Sequence, residues 1–205
     1  MKKRAIVITF LSLSLCGFYA NSTQLSKVEQ ERADNEELLN LAEKGDIEAQ
    51  YRLGKQYYTG LHREQNLKEA YKWLGKAAQE GNSLAELSYG TMHEMGDYVD
   101  IDKNKAIYWY NKSCEKMNAE ACFYAGEFYK NGEIGSPDYM LAASKFEKAI
   151  KNSNSSAFVD AARLELGKMY RDGLGVKKDT PKAIELFTEA CPMEREACSA
   201  LRELK

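Results

Sequence analysis

Few residues in this chain have the types and spacing to do chemistry: five cysteines, two histidines and one serine–lysine string. Ser113, Cys114, Glu115 and Lys116 read S-x-x-K, the spacing that puts a nucleophilic serine and a lysine one helical turn apart in enzymes that open β-lactams. Those enzymes complete the site with S-D-N and K-T-G strings, and neither occurs here. His62 has no Cys, Asp or second His at ligand spacing, so a metal site is not supported. Gly173 and Gly175 lack the rest of a phosphate cradle and read as a turn that ends a helix. No cofactor is implied. That leaves Cys114, Cys122, Cys191 and Cys198, with Cys16 near the N-terminus.

The context of Cys16 bears on the compartment. Lys2, Lys3 and Arg4 precede an apolar run from Ala5 to Leu15, followed by small and polar residues from Gly17 to Ser22. This is the layout of a secretory signal peptide over residues 1–22, with Ala20 and Ser22 as the small pair before the cut. The run of 11 residues is short of the roughly 20 that span a bilayer, so no membrane span is expected. A lipoprotein anchored through Cys16 is the weaker reading, because the residue before it is the bulky Leu15. Loss of the leader leaves 26 basic against 31 acidic residues, a net charge of −5 that invites neither nucleic acid nor anionic lipid. Three prolines in 205 residues, with abundant Ala, Leu, Glu, Lys and Tyr, predict an all-α chain.

The elements that must position the cysteines emerge from self-comparison. Four strings align: AQYRLGKQYYTG from Ala49, AELSYGTMHEMG from Ala85, ACFYAGEFYKNG from Ala121 and ARLELGKMYRDG from Ala162. Each opens on alanine and carries a first glycine (Gly54, Gly90, Gly126, Gly167) and a second (Gly60, Gly96, Gly132, Gly173). The first glycines are spaced 36, 36 and 41 residues apart. A later alanine (Ala70, Ala106, Ala142, Ala183) is followed four residues on by Leu74, Tyr110, Phe146 or Phe187. Each unit thus predicts two short helices joined by a turn, marginal alone and ordered by their neighbours. The first glycine lies mid-helix, where its cost of about 1 kcal/mol implies a neighbouring backbone too close for a Cβ. The second ends the helix as a left-handed cap. Tyr57, His93, Tyr129 and Tyr170 share one position of the packed stripe, so His93 reads as packed rather than catalytic. Trp73 and Trp109 share another and read as core.

Residues 36–45 match the end of a second helix, and Ala197 restarts the first-helix pattern, so half units flank the array and ten helices are expected. Residues 23–32 form a flexible N-terminal segment and 33–204 the solenoid. The longest spacing carries a polar insert from Asn152 to Phe158, read as a lengthened surface connection or a partner-contacting loop. Ser113 falls where other units have Ala77, Ala149 and Ala190, a small packing position rather than a nucleophile's.

The order Ala, Leu-Gly, Tyr, Gly, Lys-Ala, Trp and Ala-Ala-x-x-Gly, clearest from Ala49 to Gly81, resembles the Sel-like repeat (SLR), a relative of the tetratricopeptide repeat. The resemblance implies a right-handed α/α superhelical solenoid of about four helix-turn-helix repeats plus terminal half repeats.

Cys114 and Cys191 occupy one repeat position, near the end of a second helix. Cys122 and Cys198 occupy another, at the start of the next first helix. Units without the pair lack both members, with Ala78 and Glu86 in one and Ile150 and Arg163 in another. This coupling argues for bridges Cys114 to Cys122 and Cys191 to Cys198 among the three possible connectivities, with free thiols or metal ligands as the alternatives. Export would supply the oxidising conditions. The pattern is similar to the cysteine-rich SLR proteins of Helicobacter-type bacteria, some described as penicillin-binding or β-lactamase-like, so a β-lactam hydrolase is the alternative function.

In the tetratricopeptide superfamily first helices line a concave face, which the resemblance maps onto Tyr51, Lys55 and Tyr58; Leu87, Thr91 and Glu94; Phe123, Glu127 and Lys130; and Leu164, Lys168 and Arg171. Aromatic and aliphatic side chains between charges suit a protein contact. Burial of Leu87, Phe123 and Leu164 between helices is the competing reading. The expected function is a periplasmic or secreted monomeric scaffold for a protein partner and not an enzyme. A toxin-immunity protein, an envelope adaptor and a virulence factor are the versions the family allows.

Overall fold

A computed structural model describes residue 27 and residues 29–151 and 157–204. Ten helices occur among them: α1 over residues 29–43, then α2 (Ile47–Thr59), α3 (Leu67–Gln79), α4 (Ser83–Met95), α5 (Lys103–Glu115), α6 (Ala119–Asn131), α7 (Tyr139–Lys151), α8 (Ala157–Asp172), α9 (Thr180–Ala190) and α10 (Arg195–Glu203). Each helix from α2 onward packs on the next, α6 also touches α8, and α1 joins α2 through Leu38 and Ala42, which cluster with Ala49 and Leu53. The architecture is an all-α solenoid of helical hairpins, with α1 and α10 as its end pieces. The signal-peptide residues, Cys16 and residues 152–156 of the polar insert lie outside the described residues. α1 reaches back to residue 29, into the segment read from sequence as flexible. Ala157 and Phe158, the last two insert residues, form the start of α8.

Helix starts are written into the repeat. Asp46, Asn82 and Asn118 accept bonds from the backbone amides of Ala49, Ala85 and Ala121 at 2.7, 2.9 and 3.0 Å, so the opening alanine is the third helical residue. Asn66, Asp102, Asp138 and Asp179 do the same for the second helices at 3.1, 3.0, 2.9 and 2.9 Å. Each such cap satisfies an orphan amide and stabilises its helix by about 1 kcal/mol. The backbone amides of these four caps also donate to the carbonyls of Tyr57, His93, Tyr129 and Tyr170 at 2.8 to 2.9 Å. The turn of every hairpin is thereby closed the same way.

The two glycine positions do different work. Gly60, Gly96 and Gly132 end α2, α4 and α6 with φ of 74°, 77° and 67°, the left-handed cap conformation expected. At the mid-helix position the expected neighbouring backbone is met in the first two units, but in all four a side chain comes as close or closer. A Cβ on Gly126 would lie 2.5 Å from the Phe146 ring, and one on Gly167 would lie 2.6 Å from that of Phe187. The second helix thus drives one large side chain onto the bare backbone of the first. Backbone is the lesser contact, reached at Leu74 and Ala106 in the first two units. Tyr110, Phe146 and Phe187 are fully buried this way, and each such burial contributes about 1.5–3 kcal/mol.

Candidate protein-docking face

The structure sets the four cysteines in register with the helix junctions. Cys114 at the end of α5 and Cys122 at the start of α6 have Cα atoms 4.6 Å apart, as do Cys191, just after α9, and Cys198 in α10. Both pairs stand at disulfide distance across adjacent antiparallel helix ends. The position of Cys122 and Cys198 has other tenants in the remaining units. Glu86 is buried and ion-paired to Lys116, and Arg163 bridges Asp160 and Glu189 at 2.7 and 2.9 Å.

The serine–lysine string is dismantled by these contacts. Ser113 is fully buried and donates its hydroxyl to the Ser83 carbonyl at 2.7 Å. The Lys116 ammonium turns to the Gly81 carbonyl and Glu86, not to Ser113. A nucleophile needs its oxygen at a surface and near its base. Among the described residues no group of three His, Cys, Asp or Glu could hold a metal ion, and no helix is long and apolar enough to cross a membrane. His93 is buried against Tyr71 and Tyr89, with Tyr98 packed on Tyr71, and burial pushes its pKa down. Trp73 is buried, and Trp109 packs edge-on against Tyr89 at 5.4 Å.

The expected concave residues fall into two groups. Tyr51, Lys55 and Tyr58 are partly exposed along one stripe of α2. Tyr58 donates its hydroxyl to Asp97 at 2.7 Å; burial, then that carboxylate, pushes its pKa up to about 12. The Lys55 ammonium sits 5.7 Å from the Tyr58 ring centre. On α4, Thr91 and Glu94 are partly exposed and share the Tyr110 hydroxyl, but Leu87 is buried at 7% exposure. Leu164 on α8 is buried too, at 6%. These two leucines are therefore core rather than groove lining, because their position turns toward the second helix that follows, Leu87 packing in one cluster with Tyr110 of α5 and Leu164 in another with Phe187 of α9. Phe123 is intermediate, its ring centre 5.9 Å from those of both Phe146 and Phe158.

The remaining four residues carry charge. Glu127 pairs with Lys130 at 2.6 Å, Lys130 with Glu165 at 2.7 Å, Glu165 with Lys168 at 2.8 Å and Lys168 with Glu196 at 2.7 Å. Arg171 pairs with Asp172 at 2.8 Å. Burial alone would push the Lys130 and Lys168 ammonium groups down, but the neighbouring carboxylates outweigh it and hold both above the ordinary lysine value. Glu165, against its own burial, is held below the usual carboxylate range by the two lysines. Sequence reasoning missed Glu165 and Glu196, which complete this ladder, and Glu120 and Tyr124 on α6. Alternation of sign along the aligned first helices was the available signal.

Hairpins stacked in one direction, clipped at their junctions and exposing a lined first-helix face, define a helical-repeat scaffold, a class whose working part is a surface. The chain belongs to the Sel1 repeat family, whose model matches residues 47–82, 83–116, 119–154 and 160–191. Sel1 repeats generally serve protein–protein interaction. Among solved structures it is similar to a Sel1 repeat protein from Oxalobacter formigenes, with 31% identity and a TM-score of 0.73 over 82% of this chain and 47% of that one. It is equally similar in fold to c5321, a protective antigen of uropathogenic Escherichia coli strains with an SLR fold, at 25% identity and a TM-score of 0.73, covering 82% of this chain and 35% of that one. The Helicobacter pylori cysteine rich protein B aligns at 27% identity and a TM-score of 0.49 over 66% of this chain and 94% of that one. The chain spans less than half the length of the first two. Among curated protein sequences no match is found.

Proposed function

We propose that this protein is an exported, monomeric scaffold that binds another protein on the face formed by its first helices. The observation that carries the reading is the stripe of α2, where Tyr51, Lys55 and Tyr58 stand partly exposed on one face. Rigid aromatic rings beside a charge are the composition of protein-contact hot spots. Export is supported by the leader-like N-terminus and by two cysteine pairs at disulfide distance. A periplasmic or secreted site follows, reached by cleavage after Ser22. Three roles suit such a scaffold: immunity to a secreted toxin, an adaptor in envelope assembly, or a host-facing virulence factor. The neighbouring genes separate them, a toxin gene next door selecting immunity.

The test is photo-crosslinking in the native envelope with benzoylphenylalanine at Tyr58 and, as a control on the opposite helix layer, at Lys72. One protein should be captured from position 58 and not from position 72. Capture from position 72 alone would move the site off the first helices. Nitrocefin should not be turned over by the purified mature chain; hydrolysis that disappears in Ser113→Ala would restore the β-lactam alternative.

A further inference from the structure

The first-helix face consists of two halves in different electrostatic states. From α6 to α10 the charges answer one another through the ladder of Glu127, Lys130, Glu165, Lys168 and Glu196. A partner docking there would have to break ion pairs that are already formed and partly desolvated.

In the half between α2 and α6 two charges, Glu120 and Lys55, have no ion-pair partner among the described residues. Glu120, in the first turn of α6, is partly buried, and among the described residues its carboxylate meets no hydrogen-bond donor; burial holds its pKa above the ordinary range, opposed by the charge of Lys55. Lys55 itself makes no ion pair among the described residues and rests on the Tyr58 ring. Glu120 shares a face of α6 with Tyr124, one helical turn on; burial, then the Glu120 charge, pushes the Tyr124 phenol up, and burial, then the charges of Glu48 and Glu120, does the same to Tyr51. α4, which lies between α2 and α6 in chain order, exposes Leu84 near the partly exposed Ser88 and Thr91. The hydroxyls of Ser88 and Thr91 turn back to the Leu84 and Leu87 carbonyls at 2.9 and 3.1 Å. Tyr124 is held upright by stacking on Tyr110 at 5.5 Å and by the Phe158 ring at 5.6 Å. Asp97 and Glu94 already accept from the Tyr58 and Tyr110 hydroxyls, so among the described residues of this half Glu120 is the carboxylate left open, with the partly exposed rings of Tyr51 and Tyr124 on α2 and α6.

We propose that this half of the groove takes an extended segment of the protein partner and anchors it through an arginine or lysine side chain laid between Tyr51 and Tyr124 onto the Glu120 carboxylate. Aromatic faces attract such a cation, and a guanidinium gives a carboxylate two parallel hydrogen bonds. Lys55 accommodates a carbonyl or carboxylate oxygen of the same segment. The inference rests on the reading that the first-helix face docks a protein, and narrows it to one half and one partner charge.

The probe is a fluorescein-labelled Gly-Ser peptide carrying two arginines, titrated against the whole mature chain by anisotropy, beside the same peptide with two glutamates. The arginine peptide should bind and the glutamate peptide should not. Glu120→Gln should weaken binding about tenfold or more, Tyr124→Ala should weaken it, and Glu196→Gln, which removes the same charge from the closed half, should leave it unchanged. Circular dichroism and the urea midpoint of Glu120→Gln should match the parent, since its carboxylate makes no internal hydrogen bond. Amide shifts on titration should centre on Tyr51, Glu120 and Tyr124. Equal binding of both peptides, no binding of the arginine peptide, or full binding by Glu120→Gln overturns the proposal. In each case capture from position 58 would still stand, so the two readings fail separately.

Discussion

At the scale of single residues, the mid-helix glycines and His93 carry the sharpest consequences. Gly126→Ala puts a methyl group 2.5 Å from the Phe146 ring, which is held on all sides in the core. The expected outcome is a loss of about 1–3 kcal/mol, the range for overpacking, read as a lower urea midpoint with unchanged slope. Gly45→Ala meets no neighbouring atom, so it reports backbone strain alone, at φ +93°. His93 takes the place of a repeat tyrosine and is faced by Tyr71, Tyr89, Tyr98, Asp102 and Lys105. Burial, then Lys105, lowers its pKa, against Asp102, which raises it. The folded chain therefore favours the neutral ring, while the unfolded chain takes up a proton near pH 6.5. Stability from this site is complete above about pH 6.5 and is lost as pH falls below that value toward the folded pKa. His93→Gln should flatten the dependence of the melting temperature on pH just below 6.5; an unchanged slope would mean that other groups produce it.

At the scale of elements, the junctions decide which helices hold. α10 has nine residues and a Glu194 N-cap that makes no side-chain capping bond, and a helix so short is marginal without tertiary help. Its buried residues, Ala197, Ala200 and Leu201, pack on α9. The Cys191–Cys198 link therefore carries much of its anchoring. Cys191→Ser with Cys198→Ser should remove about 2–3 kcal/mol locally. Amide exchange should accelerate over residues 195–203 and stay unchanged in α4, and the untreated mature protein should titrate no free thiol. Free thiols in the native protein would assign these cysteines another role.

At the scale of the whole molecule, stability is passed from unit to unit, and the charge ladder is one carrier. Glu165 stands between Lys130 and Lys168 and so joins α6 to α8 directly and to α10 through Lys168. Glu165→Gln would leave two partly buried ammonium groups with weaker partners. A loss of about 1–3 kcal/mol is expected, diminishing at high salt as screening weakens the parent. Mutation and salt effects that simply add would show that the ladder contributes nothing.

The sequence by itself determined the period, the helix count, the left-handed caps and the cysteine pairs brought together at two junctions. All of these follow from local rules repeated four times, which a chain can display without knowing its neighbours. The caps Asp46, Asn82, Asn118, Asn66, Asp102, Asp138 and Asp179 were equally legible at fixed offsets, though self-comparison on alanine and glycine passed over them. Only the tertiary structure decided that Leu87 and Leu164 face inward, that a large side chain of the second helix fills the glycine notch ahead of its backbone, and which charges of the first helices are already paired. Successive residues of an α-helix lie about 100° apart around its axis, and the alignment fixes which residues are equivalent but not how far each hairpin turns against its predecessor. That rotation sets whether Lys130 meets Glu165 and whether the Glu120 carboxylate meets a donor among the described residues.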